Sequence, residues 1–151
     1  MSQSWKNLAV LFVLFVLIAF MGCSSKPVPI PIPEKSQGEG LVRIFTAYEQ
    51  AAEKLERPPQ SAEDIKPFLE PHGNPDALLL SPNDGEPYVI LWGVDLARKK
   101  PKPDYLTSPV LAHEKTGKQG IRQVVDIFGD VRSVDAGEFA RITFAPGSTT
   151  N

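Results

Sequence analysis

Hydrophobic and polar positions change their spacing repeatedly along this chain, and each change marks a boundary. Residues 8–21 (LAVLFVLFVLIAFM) form an unbroken apolar run after the polar MSQSWKN, whose only charged side chain is Lys6. Residues 24–40 (SSKPVPIPIPEKSQGEG) then place proline at every second position from Pro27 to Pro33. Proline fixes φ and drives the preceding residue toward extended geometry, so this stretch is expected to be a semi-rigid polyproline II spacer. From Leu41 a helical period begins. Leu41, Ile44, Phe45, Tyr48, Ala51, Ala52 and Leu55 recur at three- and four-residue intervals, and Glu49, Glu53, Lys54 and Glu56 fall outside that stripe. Pro58 and Pro59 end this long amphipathic helix. Ser61, followed by Glu63 and Asp64, predicts the capped start of a short second helix that Pro67 limits to about Leu69, with Ile65, Phe68 and Leu69 on its buried side.

Beyond Leu69 the period shortens to that of strands. Residues 72–76 (HGNPD) and 81–85 (SPNDG) carry turn chemistry, and Leu78, Leu79 and Leu80 between them are expected to be a short buried connection. Residues 87–92 (PYVILW) predict a strand with Tyr88, Ile90 and Trp92 on one face and Val89 and Leu91 on the other; two apolar faces suggest a central position. Residues 109–113 and 121–128 predict two further strands around a turn at 116–120, and residues 131–134 a fourth. Gly129-Asp130 is expected to be a two-residue hairpin connection of type II′. Asp135 and Glu138 have the spacing of a capping box opening a short last helix through Arg141. The fold class that follows is α+β: the long helix packed on one face of a small antiparallel β-meander, with a short second helix and a short C-terminal helix. The stripe of Ile44, Phe45, Tyr48 and Leu55 is expected to pack on Val89, Leu91 and Val125.

Composition narrows the function classes. The chain has 151 residues, room for one small domain at residues 41–145 behind the N-terminal segments, with 146–151 as a flexible tail. Its net charge is −2, and removing residues 1–22 with Lys6 leaves −3, the opposite of the basic face that a nucleic-acid binder carries, so no nucleic-acid partner is expected. A single cysteine, Cys23, excludes an intramolecular disulfide, and its position directly after Gly22 and the apolar run is the informative feature.

The run is too short to cross a bilayer as a helix, which takes about twenty apolar residues, and it has the length of a signal-peptide core. A small residue before cysteine at the end of such a run resembles the lipobox of bacterial lipoproteins. That resemblance implies a signal peptide at residues 1–22, cleavage between Gly22 and Cys23, lipid on the Cys23 thiol, and a spacer at 23–40. Phe20 and Met21 depart from the family's preference for leucine and a small residue. The implied location is the cell envelope, on the periplasmic side of the inner or outer membrane, with the membrane itself and an envelope protein as partners. An uncleaved N-terminal anchor is the alternative, and both readings tether the chain outside the cytoplasm.

The order of helix, acidic-glycine turn before an aromatic strand (residues 83–88, NDGEPY) and short hairpins also resembles the globular heads of pilins and type II secretion pseudopilins, and small uncharacterised bacterial lipoproteins of similar layout. A pilin-like subunit or accessory with an uncleaved anchor is therefore the alternative function. Against it, the chain lacks the glutamate that pilin-class proteins carry five residues into the hydrophobic segment, and Pro27 to Pro33 interrupt any continuous helix.

Candidate chemistry is sparse. No Gly-x-Ser-x-Gly segment, phosphate loop or His/Cys zinc spacing is present, so no catalytic residue, metal or cofactor is expected. His72 and His113 are the two imidazoles, read as a turn residue and the end of a strand, and Asn83, Asp84 and Glu86 as turn residues rather than calcium ligands. Two features stand as candidate binding surface: Tyr88 and Trp92, whose rings suit stacking on a sugar or a partner aromatic but more often belong to a core, and the basic loop of Arg98, Lys99, Lys100 and Lys102, which suits anionic lipid head groups but is more often simply solvated. The expected function is a membrane-anchored, non-enzymatic interaction or accessory module of the envelope.

Overall fold

The computed structural model describes residues 38–96 and 107–148. The chain divides into two units, residues 1–33 and 34–151, and all described residues belong to the second. The first helix, α1, spans Glu39–Leu55 and buries Leu41, Ile44, Phe45, Ala47, Tyr48 and Ala51 at three- and four-residue spacing. It starts two residues before Leu41, inside the segment expected to be spacer. Gly38 supplies the entry turn at φ 94°, and Glu39 pairs with Arg43 one turn on at 2.8 Å, a spacing suited to a helix surface. It ends at a left-handed Glu56, φ 53°, just before Pro58 and Pro59. Leu55, expected in the buried stripe, is 38% exposed because it is the last helical residue, beside the turn at Glu56.

Helix α2 spans Ala62–Leu69 and buries Ile65 and Leu69 completely, with Phe68 packed partly against the core. Ser61 occupies the N-cap position, but its side chain makes no capping bond. Asp64 fastens this corner instead, accepting the Gln60 N–H at 2.7 Å and both terminal nitrogens of Arg57 at 3.0 and 3.1 Å. A 3₁₀ turn at Glu70–His72 and a one-turn helix, α3, at Pro75–Leu78 follow, where turn chemistry alone was expected. Asn-Pro-Asp serves both purposes: the Asn74 side chain accepts the Asp76 N–H at 3.0 Å and Pro75 has the fixed φ of a first helical residue. The Leu78–Leu80 connection is not buried throughout, since Leu80 is 43% exposed.

Four antiparallel strands follow in the order β1 (Val89–Ile90), β2 (Val110–His113), β3 (Arg122–Asp126) and β4 (Val131–Val134). The segment 87–92 is therefore an edge strand and a short one, not the central strand its two apolar faces suggested. Tyr88, Ile90, Leu91 and Trp92 are buried all the same. Their cover comes from helices and from backbone pairing outside the ladder: Leu91 N–H donates to Leu111 O, Gly93 N–H to Pro59 O, and Trp92 exchanges two bonds with Ser148 at 2.7 and 2.9 Å. That last exchange holds the chain to residue 148, past the point where the flexible tail was expected to begin.

Successive residues of β3 point to opposite faces. Val125 joins Leu111, Ala112 and the α1 residues in the main core, whereas Val124 joins Val110 and Val134 in a second cluster covered by Phe139 and Ile142. A register shift between Val110 and Ala112 separates the two groups on β2. The β3–β4 hairpin is not the expected two-residue Gly129-Asp130 turn. Its loop is Ile127-Phe128-Gly129, with Gly129 N–H on Asp126 O, Asp126 N–H on Asp130 O, and φ 88° at Gly129, the three-residue loop whose last residue is left-handed. Asp126 specifies it by accepting the Phe128 and Asp130 N–H groups on one oxygen. Between β2 and β3, Gln119 and Gly120 both have positive φ and Lys118 and Ile121 exchange two backbone bonds, a type I′ turn. The final helix, α4, spans Ala136–Phe139, shorter than the expected run to Arg141; its capping box is formed, Asp135 accepting Glu138 N–H at 2.8 Å and Glu138 accepting Asp135 N–H at 3.3 Å.

Candidate functional site

The loop from Ser81 to Glu86 carries the densest polar network of the described residues. Asp84 accepts the backbone N–H groups of Thr116, Gly117 and Glu86 at 2.9, 2.7 and 3.1 Å, so it ties this loop to the turn after β2. Burial works against its ionisation, but those N–H groups and the Ser81 hydroxyl outweigh it and hold the carboxyl below the ordinary carboxylate range. Glu114, the residue after β2, is 1% exposed. Its carboxylate accepts from Ser81 Oγ at 2.8 Å, Asn83 Nδ2 at 2.6 Å and Gln123 N–H at 2.8 Å. A buried carboxylate with three donors is a satisfied structural anchor, and Ser81, itself 1% exposed, is positioned as one of those donors rather than as a nucleophile.

Above this network lies a cleft of about 590 Å³ between the start of α1, α3 and the 81–83 segment. Arg43, His72, Leu80, Asn83, Glu114 and Lys118 line it, and Tyr88 forms part of its floor. Burial first, then the negative charges of Glu114 and Asp84, push the Tyr88 hydroxyl up to about 12, so it is a neutral phenol at physiological pH. Gly40 is required beside it, because a Cβ there would collide with the Tyr88 hydroxyl. A second cleft, about 850 Å³, lies along the C-terminal half of α1 and is rimmed by Glu49, Glu53, Glu56 and Asp95. Its one basic residue, Arg57, is already engaged by Asp64.

The residues singled out from sequence fall in different places. Tyr88 and Trp92 are 6% and 4% exposed and belong to the main core, so they do not present an open stacking face. Trp92 stacks on Tyr48 with centroids 6.1 Å apart at 15°, and the Tyr48 hydroxyl, raised to about 12 chiefly by burial, clamps Val94 by donating to its carbonyl and accepting its N–H. Gly22 and Cys23, and the basic loop of Arg98, Lys99, Lys100 and Lys102, lie outside the described residues. His72 is exposed at the cleft, and His113 is buried on the opposite sheet face from α1, against Phe139 and Phe144. Among the described residues no group of three His, Cys, Asp or Glu side chains is placed to hold a metal ion. Sequence reasoning took Asn83 and Asp84 for turn residues and missed Glu114. The available signal was a carboxylate ending the otherwise apolar strand 109–113, facing a turn rich in hydrogen-bond donors.

Comparison of the chain with protein-family models, with characterised proteins and with solved structures finds no match.

Proposed function

We propose that the protein is an exported lipoprotein, cut before Cys23 and held on an envelope membrane by lipid on that thiol, and that its folded unit is a non-enzymatic interaction module. The observation that carries the reading is the order of segments in the sequence: a short apolar run closing on Gly22-Cys23, then alternating prolines, then a chain with the periods of a folded domain. Each added acyl chain contributes about 0.8 kcal/mol per buried CH₂, so a doubly acylated cysteine anchors stably. In this reading α1 is the one long amphipathic helix of the module. The cleft above Glu114 is its recognition surface, since the Asp84 and Glu114 networks hold the 81–86 loop in one arrangement before any partner arrives.

Intact-mass measurement of protein extracted from membranes tests the anchor. A mass reduced by residues 1–22 and increased by acyl chains is expected, and 16.6 kDa for the whole unprocessed chain overturns it. Crosslinking in cells from a residue introduced at Leu80 tests the module, with one heterologous partner expected. A ladder of self-multimers would support a pilin-like subunit with a retained anchor instead.

A further inference from the structure

The sheet face away from α1 is closed by the end of the chain. After α4, residues 143–145 pair alongside β2, Val110 N–H donating to Thr143 O and Ala145 N–H to Val110 O, both at 2.8 Å, and Ser148 pairs with Trp92; Ala145 belongs to the main core. Phe139 and Ile142 cover Val110, Val124 and Val134. His113 sits where this strap meets the sheet, 9% exposed, its ring centroid 4.9 Å from Phe139 and 5.6 Å from Phe144, which are themselves 5.7 Å apart.

The protonation state of that imidazole follows from its one strong contact. Nδ1 lies 2.8 Å from the Glu114 carbonyl oxygen, which only accepts, so Nδ1 carries the hydrogen and a neutral ring leaves Nε2 as an unprotonated nitrogen. A second proton would put a cation against the Phe139 ring and beside Phe144, which is 40% exposed. The stabilisation that aromatic faces offer a cation is already taken in part, since the Arg122 guanidinium lies 4.2 Å over the Phe139 ring.

Among the described residues the charged groups on this face of the sheet are Arg122 and Asp126 of β3 and Arg132 of β4, with Asp126 engaged by the Phe128 and Asp130 N–H groups. Across the ladder its neighbours are Val89 of β1 and Val124 of β3, and the charge acting on the ring is Arg122 of β3. Glu114 offers only its carbonyl, its carboxylate being engaged with Ser81, Asn83 and Gln123. On α4, Asp135 and Glu138 are bound into the capping box, and Arg141 donates to Gly137 O.

We propose that His113 is a proton-sensitive pin for the strap formed by α4 and Ile142: neutral, it packs Phe139 against the sheet, and protonated, it frees α4 and Ile142 from the face of Val110, Val124 and Val134. Burial, reinforced by Arg122 and only partly offset by the Glu114 carbonyl, lowers the His113 value from its ordinary 6.5. A depressed histidine favours the closed form above about 6.5, and that contribution is lost as pH falls from there through the folded value.

Hydrogen exchange of the full chain in detergent, at about pH 7.5 and about pH 5 with intrinsic rates corrected, reads the strap directly. Protection of the Phe139 and Ile142 amides, bonded to Asp135 O and Glu138 O, should fall severalfold on acidification while the α1 and Ala145 amides change little. Equal losses in strap and α1 overturn the proposal, because they mean global unfolding. His113→Gln should abolish the pH dependence. Should that variant fail to fold, Arg122→Gln supplies an independent reading: removing the neighbouring cation should shift the transition to higher pH, and an unmoved midpoint overturns the proposal. An NMR titration of His113, assigned against His72→Gln, should give a value below 6.5; one at or above 6.5 also overturns it.

Discussion

The two faces of the sheet are closed by different means. Against one face lies a 17-residue helix with a full apolar stripe, joined by α2 and the segment 88–96 in one continuous core. On the other, three valines are covered by a four-residue helix and Ile142, with a histidine beside Phe139. The first is built of apolar and aromatic side chains, with the Tyr48 hydroxyl held by hydrogen bonds to Val94. The second has an ionisable ring beside its cover, and a short cover of this kind is the one expected to open locally.

That contrast can be broken most severely on the α1 side. Phe45 is 7% exposed and its ring packs against Gly129 in the β3–β4 turn. Phe45→Ala should cost about 3–5 kcal/mol in thermal unfolding of the full chain in detergent. Glu53→Ala, on the exposed side of the same helix, should stay within about 0.5 kcal/mol. Equal effects would mean that α1 is not docked on the sheet.

The next largest effect belongs to the network joining the two halves of the chain. Glu114→Ala leaves the Ser81, Asn83 and Gln123 donors without their buried acceptor, a loss of about 2–3 kcal/mol. Faster exchange at the Gln123 amide is the accompanying sign. On the strap side, Phe139 is only half-buried, so Phe139→Ala should cost about 2 kcal/mol, less than Phe45→Ala. It should also remove most of the pH dependence of strap protection, while leaving α1 protection as it was.

The smallest effect is expected from Asp84. Its folded value is depressed below the ordinary 3.8, so its contribution is present above that value and is lost as pH falls from there through the folded value. Loss of protection at Thr116 and Gly117 should therefore appear only in strong acid, well below the pH at which the strap responds. Coincident transitions would show that His113 does not act locally.

Legibility from sequence follows the range of the interactions involved. The α+β class, the bounds of β4 and the Asp135–Glu138 capping box rest on neighbours within a few residues, whose periodicity and hydrogen bonding are local, and these were readable. The shorter misreadings have local causes too. Asn-Pro-Asp at 74–76 encodes a turn and a helix start equally well, and the Gly129 loop depends on an aspartate three residues earlier. Tyr88 and Trp92 were ambiguous because aromatic residues on a strand fit a binding face and a core alike.

What the sequence determined by itself is therefore the succession of segments: an apolar run ending at Cys23, a proline-alternating stretch, and a chain whose periods make helices and then an antiparallel meander. Only the tertiary structure decided that residues 89–90 lie at the edge, that Glu114 gathers donors from 31 and 33 residues upstream, and that His113 comes to rest against Phe139 and Phe144. Those placements depend on which distant segments meet when the chain closes on its core. Periodicity shows that a residue will be buried, whereas the partner that buries it is chosen by the whole fold.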